Sequence, residues 1–280
     1  MIEFSVLMSV YKKDNPIWLK EALDSMVNQT LLPSEILIVQ DGPITEELSN
    51  ILSEYKTKYP IIRTHAFETN RGLGLTLRDG MLLTNYDYVA RMDSDDVSVL
   101  NRFERQVAYF EANPKVDVVG SSIIEFEDDP YTSIILRKLP ETHEEVFEFS
   151  KKRCPVGHSS VMFKKSAVLR AGNYRDFYLV EDYDLWVRML NSGAIFYNFP
   201  DCITYMRVNK DFYRRRGGIK YYKSINRFKK LLKKEGHMST FQYLKSNTAS
   251  LIVCLMPGFL RVFIYKNLLR KKKKDWWLCH

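Results

Sequence analysis

Cysteine is sparse in this chain: Cys154, Cys202, Cys254 and Cys279 are scattered singly over 280 residues. No two form a C-x-x-C pair, which argues against a zinc knuckle or a thioredoxin-like site. So thin a set also argues against a secreted disulfide scaffold. A basic leader is absent. The opening MIEFSVLMSVYKK has an acid near its start and only a short apolar run. It reads as a first strand rather than a signal peptide, and cytoplasmic residence is the expectation. No internal repeat is evident. Nor is there an uninterrupted apolar run of the roughly 20 residues that a spanning helix needs. The nearest approach, residues 249–265 (ASLIVCLMPGFLRVFIY), contains Pro257 and Gly258 and meets a charge at Arg261.

What is present fits a globular protein: 45% hydrophobic and 27% charged residues. The net charge of +8 is unevenly spread. Arg214, Arg215, Arg216, Lys220, Lys223, Arg227, Lys229, Lys230, Lys233 and Lys234 crowd one segment, and RKKKK spans Arg270 to Lys274. Such asymmetry points to an anionic partner for the C-terminal part. A broken apolar segment followed by a basic run suits an interfacial or re-entrant segment at an anionic membrane surface; a core helix with a solvated basic tail is the alternative.

Residues 1–130 alternate strand-length apolar runs with amphipathic stretches. FSVLMSV, EILIVQ, IIRTHAF, YDYVARM and VDVVGSSIIEFE read as strands. Between them, NPIWLKEALDSMVNQ, TEELSNILSEYKTKY, GLTLRDGMLLT and VLNRFERQVAYFEAN read as helices. This alternation predicts an α/β fold with a mainly parallel sheet flanked by helices. After residue 130 the pattern is mixed. HSSVMFKK alternates like a strand, EDYDLWVRMLNSG reads as a helix stopped by Gly193, and AIFYNF and CITYMRV read as two short strands. Beyond Gly218 the chain looks helical and basic. The expected division is an α/β domain over residues 1–212 and a basic helical extension over 213–280.

In such sheets ligands bind beyond the carboxyl ends of the strands. Asp41 and the acidic ARMDSDD stretch stand at two such ends. In an extended segment Asp93 and Asp95 face the same way, and two hard carboxylates suit Mg²⁺ or Mn²⁺ gripping a diphosphate. By itself a D-x-D triplet is more often a solvated turn. Its companions change the balance. NRGLGLTLRDG carries Arg71, Gly72 and Gly74 ahead of a helix, where backbone can approach phosphate. Leu77 stands where a dinucleotide fingerprint needs its third glycine. Glu181-Asp182 opens another helix, either as dipole capping or as a general base.

VLMSVYKKD, EILIVQDG, NRGLGLTLRDG, ARMDSDD, HSSVMFKK and EDYDLWVRML occur here in the order found in family 2 glycosyltransferases with the GT-A fold. Over about residues 4–210 the chain therefore resembles that family, especially bacterial enzymes of exopolysaccharide, capsule or O-antigen assembly. The resemblance implies an inverting, metal-dependent transfer from a nucleotide-sugar donor, with UDP as the favoured nucleotide. The acceptor would be a saccharide or a polyprenyl-diphosphate-linked one, at the inner face of the cell membrane. It implies donor contacts at Ser9, Tyr11, Asp41, Arg71, Gly72 and Asp93, Mn²⁺ or Mg²⁺ on Asp95, and Asp182 as catalytic base. His158, Glu181 and Arg207 would lie on the acceptor or diphosphate side, His158 having a purely structural role as its alternative.

The Q-x-x-R-W motif of processive members is missing. YRRRGG stands downstream instead, so Arg207 and Arg214 to Arg216 all remain candidates for the diphosphate. Paired transmembrane helices are also missing, against a polymerising, exporting synthase. Two rival readings are weaker. A sugar nucleotidyltransferase would want an N-terminal glycine-rich loop, which SVYKKDNPIW lacks. A basic nucleic-acid-binding module would want aromatics interleaved with arginines in a known pattern, and none is present; no nucleic-acid partner is expected.

Overall fold

A computed structural model describes residues 2–133, 135–268 and 271–272. The first half alternates strand and helix as the periodicity predicts. The strands are β1 (Phe4–Val10), β2 (Glu35–Gln40), β3 (Ile62–Ala66), β4 (Tyr88–Met92) and the two-residue β5 (Val97–Ser98). The helices are α1 (Pro16–Val27), α2 (Glu46–Lys58), α3 (Leu73–Leu83) and α4 (Arg102–Ala112). The second half adds β6 (Val118–Phe126), β7 (Ile135–Arg137), β8 (Met162–Lys164), β9 (Phe196–Arg207) and β10 (Lys271–Lys272). Its helices are α5 (His143–Ser150), α6 (Lys165–Arg170), α7 (Glu181–Asn191), α8 (Lys210–Arg215), α9 (Gly218–Lys234), α10 (Thr240–Leu255) and α11 (Gly258–Leu268).

One sheet runs in the order β10-β7-β6-β8-β4-β1-β2-β3. The β4-β1-β2-β3 half is parallel throughout, and β9 adds to β6 in parallel. The short β8 sits antiparallel between β4 and β6. Alternate residues of β1 serve the two faces. Val6 and Met8 pack with Leu19, Leu23 and Phe103 from α1 and α4, while Leu7 packs with Leu77, Met81 and Trp186 from α3 and α7. That double burial is why β1 and β2 read as continuous apolar runs.

Helix ends follow their local chemistry. Pro16 occupies the first turn of α1, and Asn15 Oδ1 accepts from the N–H groups of Ile17 and Trp18. Gly193, at φ +83°, ends α7. Two expectations need correction. HSSVMFKK is a 3₁₀ turn over His158–Ser160 before a three-residue strand. Ser160 folds back, its Oγ and N–H both donating to the Gly157 carbonyl, and this competes with extension. AIFYNF and CITYMRV belong to one strand, β9. Phe199 pairs with Ser121 and Cys202 with Ser122, so Pro200 and Asp201 bulge out of the ladder.

The C-terminal helices attach through both core and polar contacts. Phe228 of α9 packs against Phe177 and Tyr183, and buried Lys229 donates to the Ser246 carbonyl and Ser250 Oγ of α10 at 2.7 and 2.6 Å. Among the described residues no helix is long and apolar enough to cross a membrane. Of the RKKKK run, Arg270, Lys273 and Lys274 lie outside the described residues, as does Cys279.

Candidate active site

Parallel pairing in register brings three strand ends together. Val10 pairs with Gln40 and Met8 with Met92, so Tyr11, Asp41 and Asp93 leave the sheet along one edge. Ser9, half-buried, faces the same end of β1 opposite Val39.

Asp41 organises the loop that follows β3. Its carboxylate accepts from the Arg71 N–H at 2.7 Å, the Gly72 N–H at 3.0 Å and Asn70 Nδ2 at 3.0 Å. Gly42, at φ +81°, makes the close approach possible: a Cβ there would lie 2.5 Å from the Asn70 nitrogen. Gly72, at φ +86°, then turns the chain into α3. Arg71 lies 4.0 Å over the Phe67 ring and pairs with Asp79 at 2.8 Å. Asp41 is thus the anchor of the 70–72 loop, a task its place at a strand end did not reveal.

The three acids of the DSDD turn have separate surroundings. Asp93 ion-pairs with Arg91, whose guanidinium is fully buried. Asp96 is fully buried and accepts from the Arg207 N–H at 2.8 Å. Burial, then the nearby Asp95 and Asp93 charges, holds its carboxyl well above the usual range. Asp95 is half-buried. Desolvation first, and the charges of Asp93 and Asp14 next, push it up to about 7. Asp14 is a member of this cluster that sequence reasoning missed. It accepts from Ser94 Oγ at 2.8 Å and the Tyr11 N–H at 3.1 Å, and burial raises it to about 6.

Among the described residues no three His, Cys, Asp or Glu side chains come together as a complete metal cage. The donor chemistry nevertheless fits a hard divalent cation. Asp95 is a carboxylate whose environment raises its proton affinity, beside two more carboxylates and with Arg91 committed to Asp93. Magnesium-type sites commonly use one or two carboxylates with the rest supplied by water and substrate phosphate.

The second half of the site is the start of α7. Leu179 adopts φ +60°, uncommon for a branched side chain, and turns the chain into the helix two residues before Glu181. Asp182 Oδ1 accepts from the Tyr183 N–H at 2.7 Å, and Cys154 Sγ lies 3.5 Å from Oδ2. Burial raises Asp182, while that N–H, Arg137 and Arg216 pull it back down. Glu181, 5% exposed, is pushed up to about 8 by burial and then by the charge of Asp182. The charge of Asp182 thus favours a proton on Glu181, and the N–H and arginine contacts favour the charged form of Asp182. Helix α3 packs closely here: a Cβ on Gly74 would lie 2.5 Å from the Arg175 carbonyl oxygen and 3.2 Å from Glu181 Cβ. The 70–74 loop and the Glu181-Asp182 pair thus share one side of the fold.

His158 and Arg207 make close contacts around these groups. His158 Nε2 lies 2.9 Å from the Tyr174 hydroxyl, edge-on to Trp186. Burial first and Arg91 second hold its imidazole well below the ordinary range, so it is neutral. Arg207 Nε donates to the Asp95 carbonyl at 3.0 Å and Nη1 to the carbonyls of Glu127 and Asp128 at 3.2 and 3.3 Å. Nη2 pairs with Glu21, and the guanidinium lies over Trp18 and Phe126. The arginines of α8 and its end are placed differently. The charge of Arg215 opposes the rise of Asp14 and Asp95, and that of Arg216 opposes the rise of Asp182. Arg216 is held by stacking 3.7 Å over the Phe212 ring and by donating to the Phe212 carbonyl at 3.1 Å.

Solved structures match this fold over nearly the whole chain. The mannosyltransferase PcManGT from Pyrobaculum calidifontis, in complex with GDP-Man and Mn²⁺, superposes with a TM-score of 0.64 at 14% identity, over 95% of this chain and 80% of that one. Staphylococcus aureus TarS 1–349 in complex with UDP-GlcNAc gives 0.61 at 14% identity, over 96% and 88%. The sequence profile of Glycosyl transferase family 2 matches residues 5–169. An uncharacterized glycosyltransferase of Haemophilus influenzae is 38% identical over 270 residues, covering 96% of this chain and 100% of that protein. A UDP-Gal:alpha-D-GlcNAc-diphosphoundecaprenol beta-1,3-galactosyltransferase of Escherichia coli is 35% identical over 269 residues, covering 96% and 97%. The chain belongs to glycosyltransferase family 2, and it is a glycosyl-transferring enzyme.

Proposed function

We propose that the chain is an inverting, metal-dependent transferase that moves a sugar from a UDP-sugar to a lipid-linked saccharide in cell-surface polysaccharide synthesis. The observation that carries this reading is the meeting of the Asp41-anchored loop, the Asp95 turn and Asp182 at one sheet edge. The names of relatives support its details: an Escherichia coli relative takes UDP-Gal to a diphosphoundecaprenol-linked acceptor, and an Erwinia amylovora relative serves amylovoran biosynthesis.

The nucleoside would lie along Ser9, Tyr11 and the loop that Asp41 holds, with Asp93 towards the ribose or sugar. Asp95 would hold Mn²⁺ or Mg²⁺, with Asp14 and Asp93 beside it. When bound, that ion supplies neutralisation of charge developing on the diphosphate. Arg215 and Arg216 would face the diphosphate of the bound donor from α8. Asp182, beside Glu181, takes the proton of the acceptor hydroxyl as its oxygen attacks the anomeric carbon. The bond to the diphosphate breaks, its electrons leave on the nucleotide, and attack from the opposite face inverts the anomeric centre. Aligning the acceptor and stabilising the leaving group carry most of the acceleration. Proton removal by Asp182 adds about 10²–10⁴-fold.

Residues 1–212 form the transferase unit in this reading, and 213–280 the basic extension that meets the membrane. On α10, Phe241, Leu244, Ile252 and Leu255 are exposed and recur at helical spacing on one side; Phe259 and Phe263 continue the apolar surface on α11. Exposed Lys220, Lys223, Arg227 and Lys230 on α9 supply positive charge. Exposed apolar side chains in a strongly basic segment fit an anionic lipid surface, where a lipid-linked acceptor would be met.

The deciding experiment is release of nucleoside diphosphate from a panel of nucleotide-sugars, with and without Mn²⁺. Metal-dependent release from a UDP-sugar is expected. Release equal with and without metal, or from no UDP-sugar, would count against it.

A further inference from the structure

Helix α11 lies outside the parallel sheet, yet two of its residues hold the corner that carries the site arginines. Arg261 is 6% exposed, an unusual depth for an arginine. Its Nε donates to the Val253 carbonyl at 3.1 Å, and Nη2 donates to the carbonyls of Cys254 and Met256 at 3.3 and 2.9 Å. These are the acceptors that the end of α10 leaves without helix partners. The same guanidinium lies flat on Gly217, leaving no room there for a Cβ. Gly217 is the N-cap of α9 and follows directly on Arg216, the C-cap of α8. Next along α11, Val262 packs on Val208 and Phe212, and Phe212 is the ring on which Arg216 is stacked.

We infer that Arg261 is a positioning residue for the donor site: from α11 it clamps Gly217 and so fixes α8, with Arg215 and Arg216, against the carboxylates. This rests on the reading that those two arginines serve the nucleotide diphosphate. Arg261 itself touches neither nucleotide nor sugar. It acts by denying the α8–α9 corner its freedom, as glycine followed by glycine at 217–218 would otherwise allow. Its loss should therefore act through Arg215 and Arg216, chiefly on donor binding.

The test is a double-mutant cycle read by calorimetric titration of UDP and GDP in Mn²⁺, together with donor KM and kcat. Arg261→Ala is expected to weaken the better-bound nucleotide and raise donor KM, each by about 5–10-fold, with kcat at saturating donor within about twofold. In the Arg215→Ala/Arg216→Ala background the same change should have no further effect. Gly217→Ala, which displaces the guanidinium without removing it, repeats the cycle should Arg261→Ala fold poorly. Equal loss in both backgrounds, unchanged nucleotide affinity in Arg261→Ala, or a fall in kcat alone would overturn the inference. Arg215→Ala/Arg216→Ala binding nucleotide like the wild type is a separate result: it would remove those arginines from the diphosphate, and the inference with them.

Discussion

The backbone N–H of Arg207 donates to Asp96 Oδ1 at 2.8 Å, while its Nε donates to the carbonyl of Asp95 at 3.0 Å. One residue at the end of β9 therefore braces the acidic turn twice from behind. The turn's acids divide accordingly: Asp96 holds the loop, Asp93 neutralises Arg91, and Asp95 is the one we propose for a cation. Asp96→Ala removes the acceptor of a buried N–H and should cost about 1–3 kcal/mol. Denaturant unfolding measures that cost. Asp95→Asn should fold with close to wild-type stability and lose Mn²⁺-dependent activity instead.

Stability should depend on pH through the same cluster. Asp14 and Asp95 are raised to about 6 and about 7, and Glu181 to about 8, above the values of an unfolded chain. Between about pH 4 and those values the folded protein binds more protons than the unfolded one, so stability falls as pH rises. Metal-free protein should lose Tm between pH 5 and 8 through this term. Mn²⁺ with UDP competes with the protons, so its Tm increment should be larger at pH 8 than at pH 5.5. Thermal scans in both buffers check this, and Asp95→Asn should flatten the difference.

Gly74 offers a steric test of how α3 meets α7. A methyl there would press on the Arg175 carbonyl oxygen at 2.5 Å and on Glu181 Cβ at 3.2 Å. Gly74→Ala should cost about 1–3 kcal/mol by overpacking, and kcat should fall as the start of α7 is displaced. Gly258→Ala is the control. Nothing lies within 4 Å of a Cβ at that position, so stability should stay within about 0.5 kcal/mol.

Lipid contact should follow the apolar surface of α10 and α11. Phe259→Ser/Phe263→Ser leaves the sheet and its cores untouched and should reduce flotation with vesicles of anionic phospholipid. Because basic residues contribute, raised salt should weaken what binding remains. Undiminished flotation in low salt would refute contact through this face.

Much of the parallel half was legible because each element carried its own period: β1 and β2 as doubly buried runs, α1 with Pro16 in its first turn, α7 with Gly193 behind it. The 3₁₀ turn at His158–Ser160 was not, because Ser160 bonding back to Gly157 leaves the alternation of apolar residues unchanged. Asp41, Asp95 and Asp182 stood out as acids at element ends. Asp14 did not, since its partner Ser94 is 80 residues away. Arg91 stood in an apolar strand with no sign of full burial. Arg207 looked as available to a diphosphate as its neighbours do. Its donors are committed to residues 79 to 186 positions distant, which no local pattern reports.

The most direct test is the Asp182→Asn variant, assayed at saturating Mn²⁺ and nucleotide-sugar for transfer and, separately, for UDP affinity. The exchange keeps the size of the side chain and its acceptor for the Tyr183 N–H, but removes the basic carboxylate. Transfer should fall about 10²–10⁴-fold, while UDP affinity stays within about twofold. Transfer at the wild-type rate, or a loss matched by equal loss of UDP binding, would contradict the assignment of Asp182 as the base.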